Sequence, residues 1–299
     1  MAVERCLTLE PANLRVAEPY VLVAARHGTM LVNRNDVYMG QAYLAYGECC
    51  ELETRFLLSL LRVPGLVIEV GANMGVHTIP MARALGARRL LALEPQPVIF
   101  QQLCANLALN GLMNVTALPY ACGSATGAVR METPDYLQPG NFGGASVGAA
   151  NPGAAGRAAR EAIVQCVRLD DLVGDDAEAV GLGKVGLIKI DVEGMELEVL
   201  RGARGILDRC RPVLYVENDR VERSAELIGW LMERRYRLWW HLPPLFHAEN
   251  LRGIEEDRYP QVCSFNMLCL PRESSMVVEG CAEILDPREH PLARSTARY

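Results

Sequence analysis

Apolar runs and helical spacings alternate along most of this chain. Leu66 to Val70 is an almost unbroken apolar run that predicts a buried strand. It stops at Gly71. A second glycine, Gly75, opens a segment with Val76, Ile79, Met81, Ala82 and Leu85 at helical spacing, closed by Gly86. The same alternation continues. Arg89–Leu93 predicts a strand, Pro97–Leu109 a helix stopped by Asn110-Gly111, and Asn114–Leu118 a short strand. Further on, Ile163–Leu169, Gly186–Ile190 and Pro212–Val216 read as strands, and Met195–Leu207 and Ala225–Arg234 as helices. Arg237–Trp240 and Cys263–Leu270 are the last expected strands. Strands that alternate with helices predict an α/β fold with a parallel sheet and right-handed crossovers.

Before Leu66 the pattern differs. Tyr20–Ala25 and Met30–Asn33 flank Arg26-His27-Gly28-Thr29, which predicts a β-hairpin with the glycine in its turn. Glu51–Arg62 has helical spacing and ends before Pro64. Residues 1–62 are therefore expected to cover one end of the sheet. His27, Tyr46 and Glu48 either face a ligand there or are solvated turn groups. Gly123–Gly148 is rich in Gly, Ser, Thr and Asn, with its densest cluster at Asn141–Ser146. It is either a flexible loop or a lid whose backbone approaches a ligand. Ala149–Ala162 is expected as a loop or short surface helix. No linker splits the chain. The expected organisation is an extension over 1–62, a main domain over 63–270 and a polar tail over 271–299, partly disordered at its end.

Composition narrows the function. The chain has 299 residues, half of them hydrophobic, enough for one large α/β domain and too apolar for disorder. A net charge of −6 argues against non-specific nucleic-acid binding. No apolar run approaches ~18 residues, so no membrane span is expected. Met1–Glu10 carries no secretory pattern. Ten cysteines without a C-x-x-C pair read as small hydrophobes in a reducing, cytoplasmic setting. Five histidines without ligand spacing give no zinc signature.

The chemistry concentrates at strand ends. A strand, a glycine turn and a helix place backbone N–H groups over the carboxyl end of a parallel sheet, which suits a nucleotide-like ligand. The two glycines lie four apart, so this is neither the dinucleotide G-x-G-x-x-G nor a phosphate loop. Glu69 would repel a pyrophosphate and attract a cation. S-adenosylmethionine (SAM) has a sulfonium, an ammonium and a ribose, and no phosphate. Glu94, 23 residues after Gly71, closes the second strand where a carboxylate takes ribose hydroxyls; its alternative role is to cap the turn before Pro95. Tyr120 stands where an adenine would lie, or is a packed aromatic. Asp191 and Glu193 end one central strand, and Glu217 and Asp219 follow the next. Four carboxylates at one mouth are costly without a cation, a proton or a hydrogen-bond network.

Three ordered motifs resemble the FkbM-type SAM-dependent methyltransferases: Val67–Ala82 (VIEVGANMGVHTIPMA), Leu93–Pro97 (LEPQP) and Ile188–Ala203 (IKIDVEGMELEVLRGA). The resemblance spans roughly residues 64–240, with weaker echoes at Tyr46-Gly47-Glu48 and Asn141–Gly144. It implies the class I, Rossmann-like methyltransferase fold: a seven-stranded, mostly parallel sheet with the last strand antiparallel and helices on both faces. It implies O-methylation of a sugar, glycan or secondary metabolite. Glu69, Gly71, Asn73 and Gly75 would then cradle the methionine part of SAM, Glu94 the ribose, and Asp191 would lie near the methyl end. Ala72, His77, Thr78, Pro95, Tyr120 and Ala121 complete the expected cofactor set. The third strand departs from the pattern, because Ala121-Cys122-Gly123 offers no acid to an adenine amine. A hydroxyl nucleophile calls for a base or a metal. Asp191, His241, Glu217 and Asp219 are the catalytic candidates, and Asp191, Glu193 and Glu217 the candidate ligands of a divalent cation. Trp239, Trp240 and Phe246 form either an acceptor wall or part of the core. A non-catalytic cofactor-binding scaffold and a nicotinamide-dependent oxidoreductase are the competing readings; the second lacks its glycine fingerprint.

Overall fold

A computed structural model describes residues 16–144, 160–174 and 184–294. The hairpin forms from β1 (Tyr20–Ala25) and β2 (Gly28–Asn33), paired antiparallel with Ala25 opposite Gly28. Arg26 and His27 make its turn, and Gly28 opens β2 at φ +138°. Two helices follow, α1 (Met39–Tyr46) and α2 (Glu51–Leu60). The first has no clear apolar stripe in the sequence; Ala42, Tyr43 and Tyr46 are buried by tertiary contact.

The alternating region then builds β3 (Leu66–Val70), α3 (Thr78–Leu85), β4 (Leu90–Leu93), α4 (Pro97–Leu109) and β5 (Val115–Leu118). The next part departs from expectation. β6 (Tyr120–Cys122), β7 (Gly127–Thr133) and β8 (Arg160–Val167) form a separate three-stranded sheet in the order β6-β8-β7. The expected loop thus contains a strand, and the strand expected at Ile163–Leu169 is not part of the main sheet. The Ala145-Ser146 end of the glycine cluster and most of Ala149–Ala162 lie outside the described residues.

After α5 (Leu169–Val173) come β9 (Val185–Ile190), α6 (Glu196–Gly202), α7 (Arg204–Cys210), β10 (Val213–Glu217), α8 (Val221–Glu233), β11 (Tyr236–His241) and β12 (Asn266–Pro271). The segment expected as a polar tail adds β13 (Ala282–Ile284) and a 3-10 turn at Pro291–Arg294. The end expected to be disordered, residues 295–299, lies outside the described residues.

The main sheet has eight strands, ordered β13-β11-β12-β10-β9-β3-β4-β5. The pairings from β10 through β9, β3 and β4 to β5 are parallel; those of β12 with β10 and β11, and of β11 with β13, are antiparallel. This corrects the expected seven strands by one: β13 adds to the edge.

Alternate strand residues feed two apolar layers. Ile68, Ile188 and Leu214 pack under Leu200, Ile206 and Leu227 of α6, α7 and α8. Val67, Leu187 and Tyr215 pack under Tyr43, Leu57, Ile79 and Leu103 of α1 to α4. The N-terminal extension, through α1 and α2, therefore shares the cover of this face with α3 and α4. Trp239 and Trp240, adjacent on β11, enter opposite layers and are core residues. No helix among the described residues is long and apolar enough to cross a membrane.

Candidate functional site

A cleft of about 1080 Å³ opens over the carboxyl ends of β3, β4, β9 and β10. Its floor is set by a close approach. Gly71 has φ +83°, and a Cβ there would lie 1.7 Å from the Asp191 carbonyl oxygen. Only glycine lets the ends of β3 and β9 meet this way. The backbone continues the sheet into the turn: Asp191 N–H donates to Val70 O, and the Gly71 and Ala72 N–H groups both donate to Leu93 O.

Glu94 anchors the next loop. One carboxylate oxygen accepts from Asn73 N and the other from Gln96 N, each at 2.9 Å. Asn73 itself sits at φ +48°. Burial pushes the Glu94 carboxyl up to about 7 against those two backbone donors. Gln96 carries the bracing outward, donating to Phe142 O and accepting from the Tyr136 hydroxyl, both at 2.9 Å. Tyr136 O in turn accepts from the side chains of Asn33 and Asn35. The described part of the glycine cluster is thus a braced wall, and Asn141 and Gly143 line the cleft.

Beneath the floor lies a buried ion cluster. Lys189, 2% exposed, donates to Asp191 Oδ2 at 3.0 Å and approaches Glu69 Oε1 at 4.0 Å. Glu69 accepts from the Thr78 hydroxyl at 2.6 Å on its other oxygen; Oε1 has no hydrogen-bond partner. Burial favours proton loss from Lys189, but Asp191, Glu69 and Glu53 outweigh it and raise its pKa above the ordinary lysine value. Burial pushes Glu69 up to about 7, opposed by the Lys189 charge. The apolar run of β9 conceals Lys189; the clue is a charged residue in a strand otherwise wholly apolar.

The four carboxylates expected at the mouth do converge there. Asp191, Glu193, Glu217 and Asp219 all line the cleft. Arg220 opposes them, donating to Glu193 at 2.6 Å and approaching Asp219 at 3.4 Å. Glu196 accepts from Val192 N and Gly194 N and so fixes the turn in which Glu193 takes φ +57°. Desolvation raises Glu193 to about 8 and lifts Glu217 well above the ordinary carboxylate range, with the neighbouring acids adding to both. Glu217 Oε2 and Asp219 Oδ1 are buried without hydrogen-bond partners.

Of the remaining expected residues, Ala72, His77, Pro95, Tyr120 and Ala121 line the cleft. Gly75 and Thr78 lie behind it: Gly75 N–H closes the turn on Ala72 O, and Thr78 supports Glu69. His241 is not brought to the carboxylates. Its ring stacks on Phe56 with centroids 4.0 Å apart and pairs with the Tyr215 hydroxyl at 2.7 Å, and burial lowers its pKa to about 4. Phe246 packs against Tyr46 rather than forming a wall with the tryptophans. His27 and Glu48 serve as fastenings: His27 pairs with Glu51, and Glu48 binds Arg26, His247 and the Leu251 N–H. Among the described residues, Asp191, Glu193 and Glu217 do not bring three donors within 4.8 Å of one another, whereas Cys50, Glu53 and His77 do.

A mostly parallel sheet in this order, with antiparallel strands at one side and a cleft over the carboxyl ends of its central strands, defines a class I methyltransferase fold. The chain belongs to the FkbM methyltransferase family: the Methyltransferase FkbM domain matches residues 69–238, more than half of its length. It is 31% identical over 160 residues to Methyltransferase sdnD of Sordaria araneosa, covering 46% of this chain and 59% of that protein. It is 32% identical over 147 residues to Methyltransferase 1 of Beauveria bassiana, covering 46% and 57%. The matches thus take in somewhat over half the length of these curated relatives. A solved methyltransferase FkbM from Methylobacillus flagellatus is similar at 16% identity and a TM-score of 0.44, over 69% of this chain and 43% of that one.

Proposed function

We propose that this protein is a SAM-dependent methyltransferase that methylates a hydroxyl oxygen on a sugar, glycan or secondary metabolite. The observation that carries the reading is the mouth of the cleft, where four carboxylates face one another and two buried oxygens lack donors. Buried acceptors of this kind call for a cation or a hydrogen-bond donor. The ammonium and sulfonium of the cofactor, together with the hydroxyl donors of the acceptor, meet that demand. Glu94 keeps lone pairs beyond its two backbone bonds for ribose hydroxyls.

When bound, SAM supplies a methyl group on a positively charged sulfur. The protein's own part is placement and proton transfer. Gly71, Asn73 and Glu94 line the end of the cleft assigned to the cofactor, and Asn141, Gly143 and the segment 262–265 line it as well, where they would shield a bound cofactor from water. Asp191 has the most open side chain of the three ion-paired mouth acids, with 34% exposure against 26% for Asp219 and 19% for Glu193. We assign it the general base that takes the acceptor's hydroxyl proton, with Glu217 and Asp219 orienting the acceptor.

The test is calorimetric titration with SAM and S-adenosylhomocysteine. Wild type is expected to bind both. Glu94→Ala removes charged hydrogen bonds worth about 1.5–3 kcal/mol each and should weaken binding roughly 10–100-fold per bond lost. Failure of wild type to bind either ligand would overturn the proposal.

The raised carboxyls give a pH signature. Glu69 and Glu94 titrate near 7 and Glu193 near 8 in the folded protein. Acids raised above their unfolded values stabilise the fold below about pH 4.5, and that contribution is lost as pH rises through 7 to 8. A cationic ligand replaces those protons. SAM should therefore bind more tightly at pH 8 than at pH 6, with net proton release at pH 7 seen as a dependence of the heat on buffer ionisation enthalpy. Tighter binding at pH 6 would refute this.

A further inference from the structure

We infer that Cys50, Glu53 and His77 form a binding site for a divalent transition-metal ion of the zinc class at the wall of the cleft. The donor atoms of these three residues lie within 4.8 Å of one another, and all three residues line the cleft. The helix geometry explains their meeting. Cys50 is the N-cap residue of α2, and Glu53 and Thr54 stand three and four residues on, so all three share one helix face. That face packs on α3, whose N-cap is His77.

Glu53 supplies the independent sign of a ligand. It is 3% exposed, and its Oε1 has no hydrogen-bond partner. His77 Nε2 stands 3.4 Å from that oxygen without completing a hydrogen bond. The other ring nitrogen, Nδ1, is engaged by the Thr54 hydroxyl at 3.0 Å. With the proton on Nδ1, Nε2 presents a lone pair toward Glu53, whose carboxyl burial raises to about 7; once Glu53 is ionised, two acceptors face each other. A metal ion between them resolves this, and Thr54 then plays the orienting part usual for a metal-bound histidine. The nearby cation, Lys189, contacts Asp191 and Glu69 and reaches Glu53 only through its field, without a contact to Oε1. One sulfur, one nitrogen and one oxygen donor suit Zn²⁺ or Co²⁺ and disfavour Mg²⁺ or Ca²⁺, which take oxygen ligands. Three protein donors leave a position for a ligand from the cleft, as catalytic zinc sites do. Use of that position by an acceptor oxygen rests on the methyl-transfer reading; metal binding does not.

The experiment uses the full-length protein stripped with a chelator and titrated with Co²⁺, followed by Zn²⁺. The expected result is one equivalent of Co²⁺ per chain, with a thiolate-to-cobalt charge-transfer band that Zn²⁺ displaces. Cys50→Ser should abolish the band, and Cys49→Ser should leave it. Thr54→Val keeps all three ligands and should weaken Zn²⁺ binding about 10–100-fold. Should Cys50→Ser not fold, Glu53→Gln supplies the second variant, with the band retained at weaker affinity. A wild-type protein without the band, or a band that survives Cys50→Ser or is unaffected in strength by both Glu53→Gln and Thr54→Val, would overturn the inference. Neither SAM nor acceptor is present, so this outcome is distinguishable from failure of the methyltransferase reading.

Discussion

Lys189→Met is expected to destabilise the protein by about 3–5 kcal/mol, the range for removing one partner of a buried ion pair. Lys189 and Glu69 are both almost fully buried, and Lys189 touches Asp191 as well. Methionine fills the same volume but leaves two carboxylates without their cation. The unpaired acids then hold protons more tightly. Since Glu69 already titrates near 7, the loss should be smallest near pH 5 and grow toward pH 8. Urea unfolding at both pH values measures it. Adding Glu69→Gln should recover part of the loss, because the stranded charge goes with it. A single variant within ~1 kcal/mol of wild type at pH 8 would show that Lys189 is not the counter-ion of this cluster.

Asp191→Asn is expected to lower turnover by about 10²–10⁴-fold, the usual worth of a positioned general base. Asparagine keeps the size of the side chain. The backbone contact that closes the floor, Asp191 N–H to Val70 O, does not involve the carboxylate and should survive. Lys189 retains Glu69, so the fold should tolerate the change better than loss of the lysine. The informative comparison is turnover against cofactor affinity: a base variant loses the first and largely keeps the second. The measurement is single-turnover methyl transfer from labelled SAM to an acceptor found by screening. Undiminished turnover would remove Asp191 from the mechanism.

The part of the site built from contiguous sequence was legible. Leu66–Gly75 had to be a strand, a glycine turn and a helix start, and Glu94 had to close the next strand, because local pattern alone fixes them. The convergence of Asp191, Glu193, Glu217 and Asp219 also followed from parallel strands sharing one carboxyl edge. What depends on strand order was hidden. His241 ends a strand as Glu217 does, but β12 lies between β11 and β10 and holds the histidine away from the mouth. The sequence left the paired tryptophans open between an acceptor wall and the core; alternation along β11 sends each into a different core layer. β7 has a period of two in Val129, Met131 and Thr133, obscured by surrounding Gly, Ser and Thr, and its partner β8 lies far along the chain. Helix α1 is decided by packing rather than by its own pattern. Cys50, Glu53 and His77 carry no metal spacing because helix ends from two elements, not one motif, bring them together.

The strand order also constrains how the chain reaches this fold during synthesis. β12 separates β10 from β11 although it is made after both. β11, with Trp239 and Trp240, therefore has no partner in the sheet when it leaves the ribosome. It waits for some thirty further residues until β12 arrives, and for β13 to cover its other side. During that interval an apolar strand with free backbone donors and acceptors is open to pairing with other nascent chains. A strand that carries two core tryptophans is thus paired only after β12 and β13 have been made.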